Sequence, residues 1–197
     1  YTPTHTLSLH DALPIYYHSH GSYYQHDGTL YFLAKRGPHR GGPTKAFLLS
    51  DDGRTWVDQG VVTLDQATFW PMDTPQPMAN GNWIMGGCSG KDGKKAAVAI
   101  AEGGNPLAWQ VRELPGKSSG YGETTVITKG ETILAISREH GLNNRGAMVR
   151  RSDDCGASWS QPKPSDIPIA RAKPYAGRLK DGRPYLVCNL RGRGQVY

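Results

Sequence analysis

Four times in this chain a polar turn containing glycine runs directly into a strand of alternating apolar residues. The segments are Asp27-Gly28-Thr29-Leu30-Tyr31-Phe32-Leu33, Asn80-Gly81-Asn82-Trp83-Ile84-Met85, Lys129-Gly130-Glu131-Thr132-Ile133-Leu134-Ala135-Ile136 and Asp181-Gly182-Arg183-Pro184-Tyr185-Leu186-Val187. Their glycines fall 53, 49 and 52 residues apart. A hairpin that recurs at this period calls for stacked copies of one small antiparallel sheet. That is the arrangement of a β-propeller, whose blades are four-stranded. Asp-Gly and Asn-Gly serve the turn because it needs a positive φ, which glycine reaches without steric cost.

Composition agrees with an all-β chain. Of 197 residues, 25 are Gly and 14 are Pro, and the 37% apolar share is broken into short runs, none long enough for a membrane span. The net charge of +6 comes from Lys and Arg scattered singly and in pairs. This implies a weak preference for anions and lacks the basic stripe that nucleic-acid binding requires. Cys88, Cys155 and Cys188 are too few and too far apart for a disulfide framework or a CxxC metal site, and are expected as small buried or half-buried residues.

A second mark keeps the same frame. Ser50-Asp51-Asp52-Gly53-Arg54-Thr55-Trp56 and Ser152-Asp153-Asp154-Cys155-Gly156-Ala157-Ser158-Trp159 are polar turns closed by a tryptophan, and Ala99-Ile100-Ala101-Glu102-Gly103-Gly104 leading to Trp109 is a degenerate copy. In such a turn Asp and Ser side chains bind backbone N–H groups while the indole packs between sheets. The boxes are structural. No catalysis is assigned to them.

These boxes resemble the Asp-boxes, or BNR repeats, of the sialidase superfamily of propellers, over residues 16–197. The second box fits Ser-x-Asp-x-Gly-x-x-Trp, and the first is one residue short after its Asp. Such boxes also occur in propellers without sialidase activity, so they specify the fold better than the reaction. The resemblance implies six blades, of which this chain carries about three and a half, and a secreted, periplasmic or cell-surface location. Residues 1–15 lie outside the pattern. Thr6-Leu7-Ser8-Leu9-His10-Asp11-Ala12-Leu13-Pro14-Ile15 resembles the in-frame translation of a sequencing adapter and is set apart from the fold.

The stretch richest in chemistry is Gly120-Tyr121-Gly122-Glu123-Thr124-Thr125-Val126-Ile127, followed by the strand that ends at Ser137-Arg138. It resembles the sialidase segment in which a Glu begins one strand and an Arg ends the next. The resemblance makes Glu123 the carboxylate that activates a tyrosine nucleophile, and Arg138 one of three arginines that grip a substrate carboxylate. The chemistry is suited to both roles: a guanidinium binds a carboxylate through paired hydrogen bonds, and a carboxylate can act as base toward a phenol. The ordinary alternative for each residue is a strand-end ion pair. Further on, Asn189-Leu190-Arg191-Gly192-Arg193 resembles the loop of the third clamp arginine, with Arg193 preferred over Arg191. The resemblance places the tyrosine nucleophile in a later blade, and neither Tyr121 nor Tyr175 is promoted in its place.

The first unit departs from the family. Between Gly28 and Ser50 there is no Asp or Glu, and Arg36-Gly37-Pro38-His39-Arg40 stands where a general acid is expected. Arg36 is carried as a substrate-binding candidate. Asp73, in Trp70-Pro71-Met72-Asp73, is the best candidate for the acid, in a loop expected to face the sugar; an ordinary turn Asp is its plainer explanation. His18, His20 and His39 support a rival reading as a polysaccharide lyase acting on uronates, with surface histidines as the plainer explanation; His26 is placed in a turn and His140 in a loop.

The expectation is therefore a partial β-propeller from a retaining exo-α-sialidase-like glycoside hydrolase, with an acidic glycan as substrate and no metal or other cofactor. The alternatives are the lyase and a non-catalytic glycan-binding propeller.

Overall fold

The computed structural model describes residues 21–35, 43–116, 122–138, 147–167, 169 and 172–189. Among these residues there is no α-helix, only strands and two single 3-10 turns, Leu64–Gln66 and Glu102–Gly104. The strands form successive antiparallel units in chain order. Strands β1 (Gly21–His26), β2 (Thr29–Lys35), β3 (Thr44–Leu49) and β4 (Trp56–Val61) make the first blade. In the second, the inner strand is split into β5 (Phe69–Pro71) and β6 (Gln76–Pro77), both paired with β7 (Trp83–Ser89), which continues to β8 (Lys95–Ala101) and β9 (Trp109–Glu113). The third blade is β10 (Thr124–Lys129), β11 (Thr132–Ser137), β12 (Met148–Ser152) and β13 (Lys163–Pro164). A hairpin of β14 (Tyr175–Arg178) and β15 (Pro184–Val187) opens the fourth. This is the partial propeller that the repeat implies.

Side-chain alternation decides which blade each strand face meets. In β8, Ala97, Ala99 and Ala101 pack with Tyr24, Leu33 and Ala46 of the first blade, while Ala96, Val98 and Ile100 pack with Val126, Ile133 and Ala135 of the third. A strand covered on both faces must be apolar along its length, and β8 is apolar after Lys95. Ile136 and Ala147 of the third blade then meet Leu186 and Cys188 beside the fourth hairpin.

The inner strands are joined by one recurring polar contact. Ser22 Oγ donates to the Asp73 carbonyl. Thr125 Oγ1 donates to Asp73 Oδ2 at 2.7 Å and accepts from the Ala176 amide at 2.8 Å. These partners are 51, 52 and 51 residues apart, one repeat per step. Thus the same position in each unit bonds to the next.

The tryptophan boxes lie between the third and fourth strands of each blade, at the end where the first hairpin also turns. In the second box, Asp154 Oδ1 accepts from Ser152 Oγ at 2.8 Å and from the Ser158 amide at 2.9 Å. The Ser158 hydroxyl, which donates to Oδ2 at 2.6 Å, leads these bonds in holding the Asp154 carboxyl down at about 2. In the first, Asp52 Oδ1 accepts from Ser50 Oγ and from the Arg54 amide. The degenerate copy has Gly103 where the other boxes have Asp52 and Asp154 but keeps the indole, since Trp109 is fully buried and Nε1 donates to the Pro106 carbonyl at 3.0 Å. All three cysteines are free, with Cys88 and Cys155 buried and Cys188 half-buried.

Candidate functional site

At the opposite end of the blades, inner strands begin and second strands finish. Glu123 immediately precedes β10 and Arg138 immediately follows β11, and antiparallel pairing brings them face to face. The Arg138 amide donates to the Glu123 carbonyl at 2.8 Å, and Nη1 reaches Glu123 Oε2 at 2.5 Å. Glu123 is buried and the Arg138 side chain nearly so. Beneath them, Thr124 and Ser137 form the next pair, with hydroxyls 2.9 Å apart. Fully buried Arg150 supports this layer. Its Nη1 donates to Ser137 Oγ at 3.1 Å, while Nε donates to the Pro115 carbonyl at 2.6 Å after the second blade.

Glycine makes this approach possible. The Gly122 amide donates to Gly93 O at 2.9 Å, and a Cβ on Gly122 would fall inside the backbone of Lys95 and Ala96. A side chain there would push Glu123 away from the second blade. Gly86 plays the same part against the backbone of Thr124 and Thr125.

Two lysines not singled out in the sequence belong to the same region. Lys35, the last residue of β2, is 4% exposed and its ammonium lies 4.8 Å from the centre of the Trp70 ring. Lys173 precedes β14 and is half-buried. Burial lowers the pKa of both lysines. The charges of Glu123, Lys173 and Lys35 all reach the buried Cys88 thiol, whose pKa is raised first by burial and then by Glu123. A comparison of repeats would have found Lys35. It stands six residues beyond the start of its strand at Thr29, as Arg138 stands six beyond Thr132.

Asp73 sits deeper than a ligand-facing loop. Only 1% exposed, it accepts the Thr125 hydroxyl and the Val126 amide on Oδ2, at 2.7 and 2.8 Å. Burial pushes its carboxyl up to about 7, against the pull of those hydrogen bonds and of Lys173. Trp70 and Met72 are likewise buried and pack with Cys88, because Trp70 lies in a strand. Tyr175 begins β14, and its hydroxyl is 2.7 Å from Thr74 Oγ1. His26 closes β1 and is within 3.3 Å of the Tyr24 hydroxyl, one residue short of the turn expected for it. Arg36, Arg191, Arg193, Tyr121, His18, His20, His39 and His140 lie outside the described residues. Among the described residues no group of three His, Cys, Asp or Glu is placed to hold a metal ion, and no helix is long and apolar enough to cross a membrane.

The family model described as "BNR repeat-like domain" matches residues 14–196. The chain belongs to the BNR repeat-like family. No curated protein sequence matches it. Among solved structures, it is similar to a protein of unknown function from Dyadobacter fermentans, with a TM-score of 0.62, 16% identity and coverage of 84% of this chain and 55% of the other. It is also similar to the Hadza microbial sialidase Hz136, with a TM-score of 0.56, 13% identity and coverage of 84% of this chain and 38% of the other. At these identities the likeness is one of fold. The BNR repeat-like chain thus spans about half or less of the length of these two structures.

Within this BNR repeat-like chain, the box end is occupied by contacts between residues close in sequence. The other end gathers Lys35, Glu123, Arg138 and Lys173 from three blades. A cavity of about 450 Å³ at the box end of the first blade, lined by Gly28, Leu30, Leu49, Ser50 and Asp51 among others, contains none of these four.

Proposed function

We propose that the whole protein is a glycosidase of the sialidase type, acting from the chain end on a terminal carboxylated sugar. The observation that carries this reading is the Glu123–Arg138 pair at the blade end opposite the Asp-boxes. Arg138 has the fork geometry for a carboxylate, and its ion pair with Glu123 holds that fork in place before a ligand arrives. Glu123 is the base that takes the proton of a tyrosine nucleophile supplied by a later blade. The resulting phenolate attacks the anomeric carbon, and water later releases the sugar with retained configuration. Asp73, the acid that the sequence offers for the leaving oxygen, is only 1% exposed and held between blades by Thr125 and Val126, so this reading takes that proton from another carboxylic acid. Arg36 and Arg193, or Arg191 in its place, complete the clamp. No cofactor takes part, and the protein acts outside the cytoplasm on an acidic glycan.

Residues 16–197 are then about three and a half of six blades. The test is release of free sialic acid from a sialoside by the full-length protein, and its loss in Glu123→Gln. An unsaturated uronate product would replace this reading with the lyase, and binding without turnover would replace it with a glycan-binding propeller. The 197-residue chain alone is expected to show no turnover, and robust activity would overturn the blade count and the missing nucleophile together.

A further inference from the structure

Lys35 has a burial that its local contacts do not explain. At 4% exposure, its ammonium lies over the Trp70 ring, and among the described residues it makes no ionic contact with a carboxylate. Holding a charged ammonium out of water without an anion is costly, and a cation–π contact offsets only part of that cost. An apolar side chain of similar length would be cheaper. Lys173, half-buried, likewise has no carboxylate in ionic contact among the described residues, and the charges of both lysines reach Cys88. Glu123 is within reach of the same thiol but is already paired with Arg138. Among the described residues, neither lysine has a carboxylate within ion-pair distance, although the charges of Asp73 and Glu123 act on Lys173 from further away.

Position gives the second argument. Counted from the hairpin, Lys35 in the first blade and Arg138 in the third occupy the same place, at the mouth end of the second strand. The repeat that places one cation at the mouth places the other there too.

We propose that Lys35 is a ligand-binding residue that receives the carboxylate of the acidic sugar from the first-blade side, at the same end of the blades as Arg138 of the third and Lys173 beside the fourth. This rests on the reading above for the class of sugar but not on any turnover. A lysine offers a compact point charge with three donors, and it can share a carboxylate with the planar Arg138 fork without competing for its geometry. The ligand would supply the anion that Lys35 lacks among the described residues.

The test compares binding of N-acetylneuraminic acid and its methyl ester, which lacks the negative charge, to the full-length protein by calorimetry. Wild type is expected to favour the acid at least tenfold. Lys35→Met should lower that preference several-fold, with what remains due to Arg138, while leaving the affinity for the ester unchanged, and Lys35→Arg should restore most of it. Lys35→Gln gives the same readout should the Met variant fail to fold. Equal loss of both ligands, an unchanged preference in Lys35→Met, or no preference in wild type would each overturn the proposal. A preference that depends on Lys35, in a protein that releases no sialic acid from a sialoside, would overturn the glycosidase reading and leave this one standing.

Discussion

Thr125 Oγ1 is at once a donor to Asp73 Oδ2 and an acceptor from the Ala176 amide, so that one hydroxyl ties together the inner strands of three consecutive blades. It is completely buried, and the groups it joins are backbone or carboxylate. A threonine in this position is therefore part of the joint between blades as much as a member of its own strand.

Removing that hydroxyl should be costly. Thr125→Val keeps the shape, strands the Ala176 amide and leaves Asp73 Oδ2 with only the Val126 amide, for an expected loss of about 1–3 kcal/mol. Thr125→Ser should recover most of it. Thermal unfolding of the three proteins checks this, and a Val variant as stable as wild type would show that the joint contributes nothing.

The carboxyl at this joint gives stability a pH slope. Asp73 has its folded-state pKa raised to about 7 by burial, well above the unfolded value near 3.8. The folded state then binds more protons than the unfolded state between those limits, so this group makes stability fall as pH rises from about 4 to 7 and level off above. Denaturant melts of wild type and Asp73→Asn across that range should differ in slope, with the Asn variant flatter. Matching slopes would mean that Asp73 is ionised at the joint throughout.

The ion pair at the mouth separates binding from chemistry. In the full-length protein, Glu123→Gln should lower kcat on a sialoside by about two orders of magnitude or more, with KM little changed, as for loss of a general base. Arg138→Lys should instead raise KM, since the ammonium keeps the charge but not the fork. Steady-state kinetics on both variants distinguishes these roles. A similar change in KM for the two would make the pair a structural ion pair only.

Gly122 is the residue on which that geometry depends. Gly122→Ala forces a methyl group into the Lys95–Ala96 backbone, at an expected cost of about 1–3 kcal/mol from overpacking. Gly130→Ala is the control. It has a positive φ of 60° but open space around it, so only backbone strain is felt there. A larger loss at Gly130 than at Gly122 would refute the close-approach argument.

The fold was readable because its signals are local. Turn chemistry at Asp27-Gly28 or Ser152-Asp153-Asp154 involves neighbours a few residues apart, and the repeat states it several times over. The Glu123–Arg138 pairing was also readable, since one hairpin brings the two together. What escaped was what other blades impose. Asp73 reads as a loop acid in sequence, yet it is buried because Ser22, Thr125 and Val126 reach it from the blades on either side. Nothing near Lys35 in the chain announces that Trp70 will lie under its ammonium. Arg150 looks like an ordinary strand charge until the Pro115 carbonyl and the Ser137 hydroxyl take it up.

The two ends of each blade also differ in when they can form. Bonds within the boxes close loops of two to five residues, as from Asp52 to the Arg54 amide or from Asp154 to the Ser158 amide. Those at the joint span 51 to 53 residues and require a second blade to be present already. Loop-closure entropy favours the short contacts early and the long ones late. The joint between blades is thus expected to acquire its shape last, with the turns of each blade closing before that blade becomes part of a site. Pulsed hydrogen exchange during refolding should protect the Arg54 and Ser158 amides before that of Val126, and the reverse order would contradict this sequence of events.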